Sequence, residues 1–286
     1  MIKIKQLTST SIEEIHEAFS RAFADYVEPF DLTKDQLQYM IERRGCDFNL
    51  SVGAFHEDKL VGLTLNGMGE WNGKRTAYDT GTGVVKEFRK QGIATKMFVE
   101  SLPILKEHGI SQYLLEVICE NTSAFELYKK AGFKVVRNFD YFIAEKGNLK
   151  FGNKSISDEF SIREIEKPNW NLFKTFWEFN PSWQNSIDSI NRKFEFFKTL
   201  GVFKKDELVG YGIIEKHTGD IPQFAIRKEY RRMKIGTVLL KELSAYGENK
   251  IIKFVNTEST YEPLKKFAEN IEFPVGLGQY EMTLDL

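Results

Sequence analysis

The chain has 286 residues, 42% of them hydrophobic and 28% charged, with a formal net charge of −1 at pH 7. That length suits two domains, each able to bury its own core, and the composition is that of an ordinary globular protein. The near-zero charge gives no electrostatic pull toward nucleic acid or an anionic membrane, and the two cysteines, Cys46 and Cys119, make neither a disulfide framework nor a C-x-x-C pair.

The opening Met-Ile-Lys-Ile-Lys-Gln lacks the apolar stretch of a signal peptide, and no apolar run approaches membrane-spanning length, so a cytoplasmic protein without a membrane partner is expected. Residues 2–7 alternate as a strand does. Ile12, Ile15, Ala18, Phe19, Ala22 and Phe23 then recur at helical spacing behind the Ser/Thr cluster at 8–11. Thr33-x-x-Gln36 reads as a capping box opening a second helix through about Arg44. Strands follow at 50–56 and 60–66 around a tight Glu57-Asp58 turn. Asn72-Gly73 signals a type I′ hairpin leading into a strand over 76–85. A helix starting near Gln91 is expected to end or kink at Pro103. A strand at 112–118, a helix over 122–131 and a final strand pair beyond Phe133 complete the first half.

Residues 146–159 are polar with two glycines and read as a linker. After it the pattern returns. Asp58-Lys-Leu-Val-Gly62 reappears as Asp206-Glu-Leu-Val-Gly210, and Val84-Val-Lys-Glu-Phe-Arg-Lys90 as Ile226-Arg-Lys-Glu-Tyr-Arg-Arg232. Two matches in the same order point to an internal duplication, with domains expected at 1–148 and 149–286.

Two segments 32 residues apart carry the chemistry: R-x-x-G-x-A at 89–94 and N-x-x-A-x-x-L-Y-x-x-x-G-F at 121–133. A turn entering a helix leaves backbone N–H groups pointing outward at the positive end of the helix dipole, where a pyrophosphate can accept them. Gly92 and the small Ala94 would let phosphate reach the backbone, and Arg89 and Lys90 add positive charge. In the second segment Ala124, Leu127 and Ala131 describe a core-facing stripe closed by Gly132. Tyr128 follows Leu127, at the edge of that stripe, where its hydroxyl can face a cleft. A phenol of ordinary pKa about 10 can protonate a departing thiolate when an amine attacks a thioester. The pair of segments is equipment for moving an acyl group off coenzyme A.

The two segments and the order of elements resemble the GNAT superfamily of N-acetyltransferases over nearly all of residues 1–145. The resemblance implies an α/β (α+β) fold of two tandem domains, each a mixed, mostly antiparallel sheet flanked by helices. It implies acetyl-CoA as cofactor, its pyrophosphate on the backbone amides of Gln91, Gly92, Ile93, Ala94 and Thr95. It also implies a pantetheine arm pairing with the strand that ends at Val84-Val85 and lying beside Asn121, with Tyr128 as general acid. Leu115-Glu116-Val117 resembles the segment of members that acetylate protein N-termini, which makes Glu116 the first candidate for general base. Asp79 is the second. The acceptor would be a small amine or a peptide N-terminus, and the protein a monomer or homodimer. A non-catalytic acyl-CoA-binding module and an enzyme taking a longer acyl-CoA are the alternatives.

The second copy departs from the pattern. Lys234 replaces the glycine of the turn and is expected to crowd a phosphate; alignment on 261–266 puts Leu264 where the phenol would be. Acetyl transfer is therefore expected only in the first domain, while a lysine could still salt-bridge a phosphate. The aromatic-rich stretch from Phe160 to Phe203 reads as core plus a face packing on the first domain, with an aromatic wall over the acceptor pocket or a dimer surface as the alternative. His16, His56, His108 and His217 have no metal-ligand spacing, so no metal is expected. Cys119 has no histidine linked to it in sequence and reads as a buried strand-end thiol rather than a nucleophile. Gly81-Thr82-Gly83 marks a bulge or flexible packing, and Asp25, Tyr26 and Trp71 fall in loops near the acceptor mouth.

Overall fold

In the computed structural model, which describes residues 1–27 and 30–286, β1 (Ile2–Gln6) leads into α1 (Ile12–Phe23) and α2 (Lys34–Arg43). Both helices begin with capping boxes, Ser11 with Glu14 and Thr33 with Gln36, so two otherwise orphaned N–H donors are satisfied at each start. β2 (Val52–His56), β3 (Lys59–Trp71) and β4 (Lys74–Val84) form an antiparallel meander. Its hairpin turns put Glu57, Asp58, Asn72 and Gly73 at positive φ, which matches the twist of paired strands. α3 (Ile93–Glu107), β5 (Gln112–Ile118), α4 (Thr122–Lys130) and β6 (Lys134–Glu145) follow. The aliphatic and aromatic side of α1 packs with Leu37, Leu63 and Leu65 on one face of the sheet. Tyr113, Leu115, Phe133 and Met282 build a separate core with Leu105 of α3.

Pro103 lies inside α3 rather than ending it. The bond it cannot donate would go to the carbonyl of Val99, a residue 54% exposed, where water can take its place.

The second half contributes β7 (Phe160–Glu164), α5 (Trp170–Lys174), α6 (Ile187–Asn191), β8 (Phe197–Lys204), β9 (Glu207–Glu215), β10 (Gln223–Ile226), α7 (Ile235–Ser244), β11 (Ile251–Glu258), α8 (Glu262–Asn270) and β12 (Gln279–Asp285). β7, β8, β9 and β10 form an antiparallel sheet, while β11 pairs antiparallel with the latter part of β6. Phe173, Phe176, Ile190 and Phe197 surround the fully buried Tyr211, so much of the aromatic stretch is core.

The chain divides into one unit of Met1–Arg137 with Tyr280–Leu286 and another of Asn138–Gln279. The expected boundary at 148/149 falls inside the second unit, and the expected strand pair beyond Phe133 is a single strand, β6, split between the units. The seventh strand of the first unit's neighbourhood comes from the far end of the chain: β12 stands beside β5. Glu281 of β12, 3% exposed at its side chain, takes a bidentate ion pair from Arg137 at 2.6 and 2.7 Å. Residues 146–159 are not a free linker either. Leu149 is buried, and Phe151 and Ile156 pack on the second unit's core, apolar anchors within a polar stretch.

Candidate active site

β4 and β5 run parallel, but their pairing covers only Thr76–Asp79 against Gln112–Leu115. Asp79 and Glu116 therefore sit where the ladder stops. The register of β3 against β4 slips between Leu65 and Asn66, leaving Thr80 as the extra residue of a bulge just ahead of Gly81-Thr82-Gly83. Gly83 is needed there for close packing: a Cβ would lie 2.9 Å from the Phe23 ring and 3.0 Å from Ala22.

Because side chains alternate along a strand, Asp79 and its partner Leu115 point to one face, and Tyr78, Leu114 and Glu116 to the other. The hydrogen bonds follow this division. On one face, Tyr128 of α4 donates to Asp79 Oδ2 at 3.0 Å, and Thr82 Oγ1 lies 2.8 Å from the same oxygen and 3.1 Å from Thr64 Oγ1. On the other, Tyr78 donates to Glu116 Oε2 at 2.5 Å. Burial lifts both carboxyls toward neutrality. Asp79 rises to about 6, with Thr82, Tyr128 and the Gly81 backbone pulling it down. Glu116 rises to about 7, with Tyr78 opposing, Glu281 adding to the rise, and Arg44 and Arg137 opposing it. Burial and then the Asp79 charge push the Tyr128 phenol well above its ordinary value.

After β4 the chain makes one 3₁₀ turn, Lys86–Phe88, and Arg89 returns to extended backbone. Lys90 and Gly92 then take positive φ, 61° and 73°, before α3 begins at Ile93. Gly92 is the N-cap and makes no side-chain cap bond, and no acidic residue lies in the first turn. A Cβ on Gly92 would meet nothing within 4 Å. The turn is thus open in front of N–H groups that α3 cannot satisfy itself, which fits an anion such as the coenzyme A pyrophosphate. Ile93 is buried, while Gln91 and Thr95 are exposed and Ala94 lies between.

Arg89 is placed differently from a phosphate ligand. Its guanidinium bonds Val84 O, Ala22 O and both oxygens of Asp25, so the side chain ties the loop after α1 to the turn. Val84 pairs with Gly62, and the buried Val85 donates to Val61 O at 2.9 Å, so both belong to the sheet that carries the turn. Asn121 caps α4 through Ala124 N and also meets the Tyr26 hydroxyl. Trp71 closes the β3–β4 hairpin. Among the described residues no group of three or more His, Cys, Asp or Glu could hold a metal ion. Sequence reasoning missed Tyr78, Thr82 and Arg137. Tyr78 adjoins Asp79, and strand alternation against the 112–118 strand was the signal that could have found it.

The second unit repeats the turn. Arg231 bonds Ile226 O and Glu178 as Arg89 bonds Val84 O and Asp25. Arg232 and Lys234 hold φ of 65° and 66°, matching Lys90 and Gly92. Lys234 therefore keeps the left-handed N-cap backbone of the glycine, and the turn has not collapsed around it. Helix α8 corrects the alignment. Phe273 N bonds Ala268 O as Phe133 N bonds Tyr128 O, so Ala268, not Leu264, occupies the position of the phenol.

The model of the acetyltransferase (GNAT) family matches twice, at residues 12–133 and 161–273. N-alpha-acetyltransferase 30 of Schizosaccharomyces pombe is 38% identical over 61 residues, 21% of this chain and 41% of the relative. N-alpha-acetyltransferase MAK3 of Arabidopsis thaliana is 30% identical over 91 residues, 32% of this chain and 48% of the relative. The chain thus spans less than half the length of these relatives. In fold it is similar to a tandem GNAT protein from the clavulanic acid biosynthesis pathway, with a TM-score of 0.74, 12% identity, and coverage of 100% of this chain and 98% of the other. With both halves matched and the fold shared end to end, the chain belongs to the acetyltransferase (GNAT) family, in its tandem form.

Proposed function

We propose that the first unit transfers an acetyl group from acetyl-CoA to a primary amine, a small amine or a peptide N-terminus, by direct attack. The observation that carries this reading is the Tyr128 hydroxyl held on Asp79 where the β4–β5 ladder ends. Acetyl-CoA supplies the activated acetyl group; the open turn at 90–95 would hold its pyrophosphate, with Gly92 keeping the approach clear. Glu116, at about 7 and just past the end of the β4–β5 ladder, is matched to accept the amine's proton at neutral pH from the face opposite Tyr128. Tyr128 would give its proton to the departing sulfur. Its raised pKa means that this transfer accompanies C–S cleavage and does not precede it. Asp79 orients the phenol and takes over as base only if Glu116 proves dispensable.

The close packing behind the bulge favours a short acyl group. A Cβ at Gly81 would touch Phe19 at 3.6 Å, and Gly83 is already pressed by Phe23, so aromatic rings of α1 block this side of the strand. The second unit, with Ala268 in place of the phenol, is read as non-catalytic.

The test is thiol release from acetyl-CoA across a panel of amines and peptides, with products checked by mass spectrometry. Wild type is expected to turn over at least one acceptor class; Gly92→Trp is expected to lose acetyl-CoA binding and turnover together. Turnover that survives Tyr128→Phe and Glu116→Gln unchanged would refute the assignment. Binding of acetyl-CoA without turnover of any acceptor would favour a binding module.

A further inference from the structure

The helix that carries Tyr128 is lightly anchored. No residue of α4 is fully buried, whereas α1 buries five and α3 four. Helices in proteins draw most of their stability from a packed face, so the placement of α4 depends on what holds its ends. At the C-terminal end Phe133 N bonds Tyr128 O, and the two rings meet edge-on. At the N-terminal end Asn121 Oδ1 accepts from Ala124 N at 3.2 Å, and the same side chain is hydrogen-bonded to the Tyr26 hydroxyl.

Tyr26 is itself held. Its ring stands edge-on to Phe23 at 5.3 Å, and its N–H donates to Phe23 O at 3.1 Å. The preceding residue, Asp25, accepts the Arg89 guanidinium on both carboxylate oxygens at 2.7 and 3.0 Å, with Lys86 Nζ 3.6 Å away. Two parallel bonds from one guanidinium fix direction as well as distance. Bonded contacts therefore run without a gap from the turn before α3, through Asp25 and Tyr26, to the start of α4. The same helix then delivers the Tyr128 hydroxyl to Asp79.

The second copy of the fold supplies the comparison. Arg231 bonds Glu178 at 2.8 Å, as Arg89 bonds Asp25. The residue after Glu178 is Phe179, whose ring lies 5.3 Å from that of Tyr261, the N-cap residue of α8. An acid, the aromatic after it and a helix N-cap thus come together in both units. In the second, however, the aromatic has no hydroxyl, Tyr261 makes no side-chain cap bond, and Ala268 replaces the phenol. A polar link occurs where the helix must aim a proton donor, and a plain ring contact where it need not.

We propose that Tyr26 is a positioning residue for the acid: anchored by the Asp25–Arg89 ion pair, it fixes the N-terminal end of α4 and so keeps the Tyr128 hydroxyl on Asp79. The proposal rests on the role given to Tyr128 above. It assigns the arginine of the R-x-x-G-x-A segment to alignment of the acid, through Asp25, and not to phosphate.

The test compares Tyr26→Phe and Asp25→Asn with wild type in the full chain. Tyr26→Phe keeps the ring against Phe23 and removes only the hydroxyl. The first readout needs no acceptor: the carboxyl ¹³C titration of Asp79 reports whether Tyr128 still donates to it. The donors to Asp79 are Thr82, Tyr128 and the Gly81 backbone, so an effect of the Tyr26 hydroxyl on that midpoint travels through α4. The midpoint is expected to rise in both variants, more in Tyr26→Phe, because a carboxylate that loses a donor holds its proton to higher pH. The second readout is kinetic. In Tyr26→Phe, kcat for acetyl transfer is expected to fall about tenfold or more, since a small misplacement of reacting groups can cost about 10²-fold. The calorimetric affinity for acetyl-CoA is expected to stay unchanged. Added to Tyr128→Phe, Tyr26→Phe is expected to lower kcat no further, because no hydroxyl is left to position. The inference is overturned if the Asp79 midpoint in Tyr26→Phe equals that of wild type, or if the two kinetic losses multiply in the double variant. It is also overturned if Asp25→Asn weakens acetyl-CoA binding and leaves the midpoint unmoved, which would confine the ion pair to the turn. A chain that turns over no acceptor refutes the role proposed for Tyr128, and the midpoint then decides the placement of α4 by itself.

Discussion

Tyr128→Phe removes one hydroxyl from the pairing on which the proposed chemistry rests. The ring keeps its edge-on contact with Phe133, at 5.6 Å between centroids, so the core around it is preserved. As a lost proton donor the change is expected to lower turnover about 10²- to 10⁴-fold. A second effect is independent of any acceptor. Asp79 ionises at about 6 because burial outweighs its three donors, and Tyr128 is one of them. A hydrogen bond to a charged group contributes roughly 1.5–3 kcal/mol, which corresponds to about one to two pH units. The variant should therefore hold the Asp79 proton to a pH higher by that amount. Because the folded pKa lies above the ordinary carboxylate value of 3.8, the stabilising contribution is complete below that value and is lost as pH rises through about 6. The loss across that window is about 3 kcal/mol in wild type and larger and later in the variant. Carboxyl ¹³C NMR titration, with Asp79→Asn to assign the resonance, reads the midpoint directly. A midpoint in Tyr128→Phe equal to or below that of wild type refutes the reasoning.

Three further outcomes follow from the same geometry. The rate of acetyl transfer should rise with pH through about 7 as Glu116 loses its proton, and Glu116→Gln should flatten that limb of the kcat/KM profile. Gly83→Ala should destabilise the first unit by about 1–3 kcal/mol in urea unfolding, because its Cβ meets Phe23 and Ala22 at 2.9 and 3.0 Å. Glu281→Ala, which removes the bidentate partner of the largely buried Arg137, should cost roughly 3 kcal/mol in the same assay; a change below about 0.5 kcal/mol would mean that the pair contributes no more than an exposed one.

What could be read from the chain alone depended on how local each cause was. The capping box at Thr33, the Asn72-Gly73 hairpin and the turn at Gly92 each have their determinants within a few residues and form as expected, and the Ser/Thr cluster at 8–11 supplies the cap at Ser11. The Tyr128–Asp79 bond spans 49 positions, and only its two ends were legible, not their partnership. Tyr78 looked like any strand aromatic until the parallel register put it on the face of Glu116. Arg89 carried the right charge in the right motif, yet Asp25 and two carbonyls claim its guanidinium. Lys234 was judged by side-chain size, although its backbone follows that of Gly92. The helix at 262–270 was misaligned because Phe273, its one matching anchor, lies beyond the stretch compared. The borrowed strand at the chain's end had no local signal at all, since nothing between residues 280 and 286 says which half it completes.

That strand sets an order of events on the ribosome. Residues 1–137 emerge first, but their sheet lacks β12 until the whole of the second unit has been synthesised. At about 5–20 residues per second, that interval lasts roughly 7–28 seconds. Throughout it the edge of β5 that β12 will cover stands open to pairing with other chains, and Arg137 waits for its carboxylate. The two copies are therefore not independent beads: the earlier one matures last, and a ribosome stalled within the second leaves the first with an unfinished edge that chaperones and proteases can recognise.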